Sequence, residues 1–204
     1  MSELDRSFLL PELKKNKKIN IEEIFGNKNP LRLEIGCGHG EFLCELSERH
    51  PDRNFIGFEL KRKRIISTIK KLKNNKRYNV RIAEFYVDEN IEGIFSDCAI
   101  DRIYINHPDP WPKKRHHKKR LIQTKFVDIL AKLLTINGIV QIATDHLEYS
   151  KWIMYKFSLS TQFESVFKNG YSMDPIDGHI VTHFEIMKRK EGFEPIFMHF
   201  RRTE

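Results

Sequence analysis

Nowhere in this sequence does an apolar run approach the ~18 residues of a membrane-spanning helix, and Met1–Lys18 lacks the apolar core of a secretory signal. Cysteine is scarce too. Cys37, Cys44 and Cys98 are odd in number and form neither a CxxC pair nor a zinc pattern with histidine, so buried reduced thiols are expected. Internal repeats and low-complexity linkers are also missing. These absences point to a cytoplasmic chain with no membrane segment and no disulfide framework. Acidic charge is in deficit: 28 Asp and Glu face 36 Lys and Arg, for a formal charge of +8. Such an excess favours a polyanionic partner, with nucleic acid foremost. With 204 residues, 40% of them hydrophobic, the chain is sized for a single core. Monomer and homodimer are both compatible with this.

Residues 1–19, with Lys14-Lys15-Asn16-Lys17-Lys18, read as a mobile basic arm ahead of one domain over 20–204. Asn20 is placed to cap a short helix over Ile21–Phe25, which Gly26 ends. After it, apolar runs at Leu31–Ile35, Phe55–Phe58, Val80–Ala83, Arg102–Ile105 and Ile139–Ala143 alternate with helical spacing, as in Phe42, Leu43 and Leu46. Helices are also expected from about Lys61 to Asn74 and through Phe126–Leu134, the latter stopped by Gly138. The tail is read as a helix near Lys151–Ser158, a strand around Phe163–Phe167, a loop through Asp174–Gly178, a helix near Phe184–Lys190 and a strand Pro195–Phe200. This alternation predicts an α/β fold with mostly parallel strands and ligands at their carboxyl ends.

The first strand runs into Glu34-Ile35-Gly36-Cys37-Gly38-His39-Gly40, with glycines at alternate positions. The dinucleotide fingerprint GxGxxG places its third glycine one residue later. Glu34 and Glu41 would repel a pyrophosphate but attract a cationic amino-acid moiety. Gly36 and Gly38 let the backbone approach a ligand closely. Glu59 ends the second strand, where a carboxylate can accept both hydroxyls of a ribose. Together these features fit S-adenosylmethionine; taken alone, the loop is equally an ordinary strand–turn–helix.

The fourth strand leads into Asn106-His107-Pro108-Asp109-Pro110-Trp111-Pro112 and then Lys113-Lys114-Arg115-His116-His117-Lys118-Lys119-Arg120. Three prolines stiffen a loop at the ligand edge of the sheet and hold Asp109 there. Six cations in eight residues can contact several phosphates, although most such runs are only solvated surface. A metal site from His107, His116 and His117 is disfavoured, because flanking lysines repel a cation.

These residues resemble the bacterial tRNA (guanine-N7-)-methyltransferases. The similarity lies in Glu34–Phe42, Asn54–Glu59, Pro108–His116, Ala143-Thr144-Asp145 and Thr182-His183-Phe184-Glu185, and runs from about residue 30 to the end. It implies a Rossmann-like class I methyltransferase fold: a mostly parallel seven-stranded sheet with helices on both faces and an antiparallel strand among the last. It implies S-adenosylmethionine contacts at Glu34, Glu59 and Asp109, with Asp109 catalytic. Substrate contacts fall to Lys113, Asp145, Thr182 and Glu185, RNA contacts to Arg115, His116, His117, Lys118, Lys119 and Arg120, and the partner is tRNA. The expected product is 7-methylguanosine at a variable-loop guanine. Where the family usually places an acidic residue or asparagine that meets the adenine, this chain has Tyr86; either Tyr86 takes that role or a shift brings Asp88 into it.

Guanine N7 carries a lone pair and no proton, so its methylation needs alignment rather than a general base. Asp109 is therefore expected to orient the reactants. Glu185 is the candidate reader of the two N–H groups on the guanine edge, and Thr182-x-x-Glu185 fits a helix capping box equally well. Two rivals are an RNA-binding module with a degenerate methyltransferase fold, suggested by Tyr86, and a methyltransferase acting on another base. Those that methylate amide or adenine nitrogen favour Asn-Pro-Pro-aromatic where this chain has Asn106-His107-Pro108-Asp109.

Overall fold

The computed structural model describes residues 5–14, 17–175 and 178–203. Lys15 and Asn16 of the basic cluster, and Ile176 and Asp177 of the expected loop, lie outside the described residues. Helix α1 spans Ile21–Phe25, and both end signals act as expected: the Asn20 side chain accepts from the Glu23 amide, and Gly26 closes the helix at φ +68°. Thereafter come β1 (Leu31–Ile35), α2 (Glu41–Arg49), β2 (Asn54–Glu59), α3 (Arg62–Asn74), β3 (Val80–Glu84), β4 (Ile100–Asn106), α4 (Thr124–Leu133), β5 (Leu134–Thr144), α5 (Leu147–Ser158), β6 (Phe163–Ser165), α6 (His183–Lys190) and β7 (Ile196–Arg202).

The seven strands form one sheet in the order β3-β2-β1-β4-β5-β7-β6. Strands β1 to β5 are parallel to their neighbours, while β7 runs antiparallel to β5 and β6 antiparallel to β7. The order reverses at β1, whose neighbours β2 and β4 lead away in opposite directions, so a crevice opens at the carboxyl ends of β1 and β4. Side-chain alternation divides the core into two layers. Leu31, Leu33 and Ile35 of β1 face a cluster that includes Phe126, Leu130 and Ile153 from α4 and α5. On the opposite layer Phe42 and Leu43 of α2 and Ile65, Ile69 and Leu72 of α3 pack with Val80, Ile82 and Tyr104. Glu34 shares the β1 face of Arg32, opposite the three apolar residues, and is carried to the crevice end.

Two expectations change. Gly138 does not stop α4; that helix ends at Leu133 and β5 begins at Leu134. Gly138 lies inside β5, after Asn137 at φ +64° and beside a register shift opposite Ile100–Arg102. A Cβ there would come within 2.8 Å of the Thr135 carbonyl oxygen, so the glycine serves a bulge. The N-terminal arm, for its part, packs on the sheet through residues 8–10. Phe8 is 1% exposed and stacks on Tyr78, Leu9 bridges to Ile82, and the Leu10 amide donates to the Ile82 carbonyl at 2.9 Å. The arm thereby covers the open edge of β3.

Candidate cofactor and substrate site

The turn after β1 is shaped by backbone as much as by side chains. Gly36, Gly38 and Gly40 all take positive φ, and at Gly40 a Cβ would meet Thr68 Cγ2 at 2.4 Å, so only glycine fits against α3. The amides of Gly36 and Cys37 both donate to the Phe58 carbonyl, tying the turn to β2. Glu59, 7% exposed, completes the tie: Oε2 accepts from the Gly38 amide at 3.1 Å, and Oε1 accepts from the amides of Leu60 and Lys61, each at 2.8 Å. Arg64 Nη1 stands 3.5 Å from Oε2. Glu59 therefore organises the turn and still presents its carboxylate to the cavity.

Glu34 is 2% exposed. Its Oε1 accepts from Asn106 Nδ2 at 3.3 Å, and its Oε2 is buried with no partner. Burial pushes its pKa up to about 8, with the charges of Glu41 and Glu59 adding to the rise. The neighbouring Cys37 thiol is likewise pushed up by burial and then by Glu34 and Glu59, which leaves it inert.

Two cavities open here. The first, about 390 Å³, lies between Glu59, Tyr86 and the proline loop. The second, about 430 Å³, lies between Glu34, the glycine turn and the start of α6. Gly36, Arg64, Asn106, His107 and Asp109 line both, so they adjoin along the crevice. Asp109 is exposed and sits at the junction. Tyr86 lines the first cavity at 62% exposure, whereas Asp88 caps a 3-10 turn by accepting from the Asn90 amide. Of the two alternatives, Tyr86 faces the cavity.

The basic segment forms a 3-10 turn over Lys114–Lys119. Lys113, Lys114, Arg115, Lys118 and Lys119 are exposed beside the crevice, and Lys119 Nζ lies 4.8 Å over the Trp111 ring. His116 and His117 rest edge-on against Trp111 and Trp152. Arg120 departs from the RNA-contact expectation. It is 3% exposed, donates from Nε to the Pro110 carbonyl at 2.8 Å and lies over both Tyr149 and Trp152. This arginine braces the proline loop through that bond.

Glu185 also departs from expectation. It is 1% exposed and lines neither cavity; Oε2 is bonded to His179 at 2.8 Å and Oε1 to Arg189 at 2.9 Å. Thr182 accepts from the Glu185 amide at 3.1 Å and caps α6, so the capping reading holds for the threonine, which also lines the second cavity. Asp145 pairs with His107 at 3.4 Å behind the cavity wall. Lys113 lies at the segment's exposed start. Sequence reasoning missed Asn106, Arg64 and His107 as lining residues; Asn106 and His107 stood in the proline motif, and their position at the end of β4 was the signal that could have found them.

A family model described as "Putative methyltransferase" matches residues 28–197. The tRNA (guanine-N(7)-)-methyltransferase of Thermotoga maritima is 37% identical over 174 residues, covering 83% of this chain and 53% of that protein. Its counterpart from Marinobacter nauticus is 36% identical over 178 residues, covering 87% and 74%. The chain thus spans about half of one relative and about three quarters of the other. An rRNA methylase structure from Streptococcus thermophilus aligns with a TM-score of 0.59 at 13% identity, over 86% of this chain and 88% of that one, a likeness of fold.

Proposed function

The chain belongs to the tRNA (guanine-N(7)-)-methyltransferase family, and from that premise we propose that it methylates N7 of a variable-loop guanine in tRNA, in the cytoplasm, using S-adenosylmethionine. The observation that carries the cofactor assignment is the buried, unpartnered Oε2 of Glu34 in the wall of the second cavity. A buried carboxylate oxygen without a partner costs several kcal/mol, and an α-ammonium group supplies both the missing hydrogen bond and the countercharge. Glu59 is placed for ribose hydroxyls, and Tyr86 offers an exposed ring to the adenine beside it. The residues present therefore fit the group. When bound, S-adenosylmethionine supplies a methyl carbon activated by its sulfonium.

This chain's own residues hold and align. The guanine N7 lone pair is available without deprotonation, so no side chain must act as a base. Asp109, at the junction of the two cavities, fixes the approach of base and cofactor and favours the positive charge that passes to the purine. Exposed Lys113, Lys114, Arg115, Lys118 and Lys119 hold the RNA backbone at the crevice rim. No described helix is long and apolar enough to cross a membrane. The position assignment is tested by chemical cleavage at 7-methylguanosine in tRNA treated with the protein: cleavage confined to the variable loop supports it, and cleavage elsewhere contradicts it.

A further inference from the structure

His107 directly follows β4 at φ +50°, a strained conformation for a residue with a side chain. The turn is nevertheless fixed, because its amide donates to the Ala143 carbonyl at 2.8 Å and so continues the β4–β5 ladder. Its side chain is 7% exposed. One ring nitrogen, Nδ1, lies 3.4 Å from Asp145 Oδ1, and the ring packs against Phe184 with centroids 4.6 Å apart. No described residue bonds to the other nitrogen, Nε2, and it is not among the buried unpartnered atoms. His107 lines both cavities, whereas Asp145 and Glu185 line neither. Strain held in place by surrounding structure, with one polar atom left open at a cavity junction, marks a group built to meet a ligand.

We infer that His107 contacts the target base: Nδ1–H donates to Asp145 Oδ1, and the Nε2 lone pair accepts from the N–H edge of guanine. The inference rests on the guanine-N7 reading above. Adenine presents a bare N1 at the equivalent place, so an acceptor there discriminates between the purines. Around the ring stand Asp145 after β5, Glu185 of α6 and His179 before it, with Glu34 and Asp109 also on the cavity walls. Burial lowers the imidazole pKa and outweighs the opposing pull of Asp145 and Glu185. The ring is thus neutral near pH 7 and available as an acceptor. Protonation would exchange the lone pair for an N–H and place a cation beside the purine as it gains positive charge.

The test compares wild type, His107→Phe and His107→Gln across pH 5 to 8, reading 7-methylguanosine formation, KM for tRNA and Kd for S-adenosylmethionine. With S-adenosylmethionine saturating, so that its ammonium holds Glu34 ionised, wild-type kcat/KM for tRNA should fall on the acid side with a single ionisation below the usual imidazole range. His107→Phe, which keeps a ring against Phe184, should raise KM for tRNA about tenfold, the worth of one hydrogen bond, and abolish the acid limb. Its Kd for S-adenosylmethionine should rise by less than its KM for tRNA, because the hydrogen bond removed goes to the base. His107→Gln retains an acceptor and should recover much of KM without the acid limb; it decides the matter alone if the Phe variant does not fold. An acid limb that persists in either folded variant overturns the inference. A wild-type protein that makes no 7-methylguanosine overturns the function and the histidine together, whereas an active wild type with unaltered variants overturns the histidine only.

Discussion

Asn106 at the end of β4 satisfies only one oxygen of Glu34 at the end of β1: Nδ2 donates to Oε1 at 3.3 Å while Oε2 stays buried and unpartnered. That half-satisfied carboxylate has a measurable signature. Its folded pKa, about 8, lies above the ordinary 4.5, so the folded protein binds the extra proton more tightly than the unfolded chain does. Stability of the ligand-free protein is then full below about pH 4.5 and falls as pH rises through 8, by at most about 5 kcal/mol. Glu34→Gln should flatten Tm against pH over that window and weaken S-adenosylmethionine binding by about 10²-fold, as expected for breaking a buried charge pair. An unchanged pH slope in the variant contradicts the assignment.

Asp109 is exposed on a loop stiffened from below, so its removal should spare the fold. Asp109→Ala is expected to keep the wild-type Tm and lose about 10²-fold or more in methyl transfer, the cost of misaligned reactants. Near-normal transfer in this variant would mean that the aspartate does not orient the reaction.

The basic turn divides into two kinds of residue. Replacing exposed Arg115, Lys118 and Lys119 with Ala should weaken tRNA binding and lower its log–log salt slope by about 0.7–0.9 for each phosphate no longer neutralised, about 2–3 in all. Arg120→Ala should instead lower stability by about 1–3 kcal/mol, because the bond to Pro110 and the packing over Tyr149 and Trp152 both go. Thermal melts and salt-dependent binding separate the two; an Arg120 variant of normal Tm and weakened tRNA binding would reverse the assignment.

Phe8 covers the β3 edge. Phe8→Ala is expected to cost about 3–5 kcal/mol, as for other buried aromatic truncations. A destabilisation under about 0.5 kcal/mol, the range of surface substitutions, would mean that the arm is only loosely applied.

Local signals carried much of this protein into view. The Asn20 cap, the Gly26 stop, the glycine turn and the helical spacing of Phe42, Leu43 and Leu46 act over a few residues, and each sits in the structure where its chemistry places it. What the sequence concealed depends on distant partners. Phe8 is buried because Tyr78 and the β3 edge lie beside it, and Arg120 because α5 brings Tyr149 and Trp152 beneath the proline loop. Glu185 was legible as a cap partner, but its burial depends on His179 and Arg189 closing around it. His107 was visible as a motif residue; its aim at the cavity follows from a positive φ and from Asp145, neither of which spacing reveals.

The central claim meets its most direct test when the protein is incubated with methyl-labelled S-adenosylmethionine and unmodified tRNA, followed by nucleoside analysis of the digest. Label recovered as 7-methylguanosine, formed about 10²-fold or more slowly with Asp109→Ala, is the predicted result. Label in another nucleoside, or no transfer from a protein that binds tRNA, would contradict it.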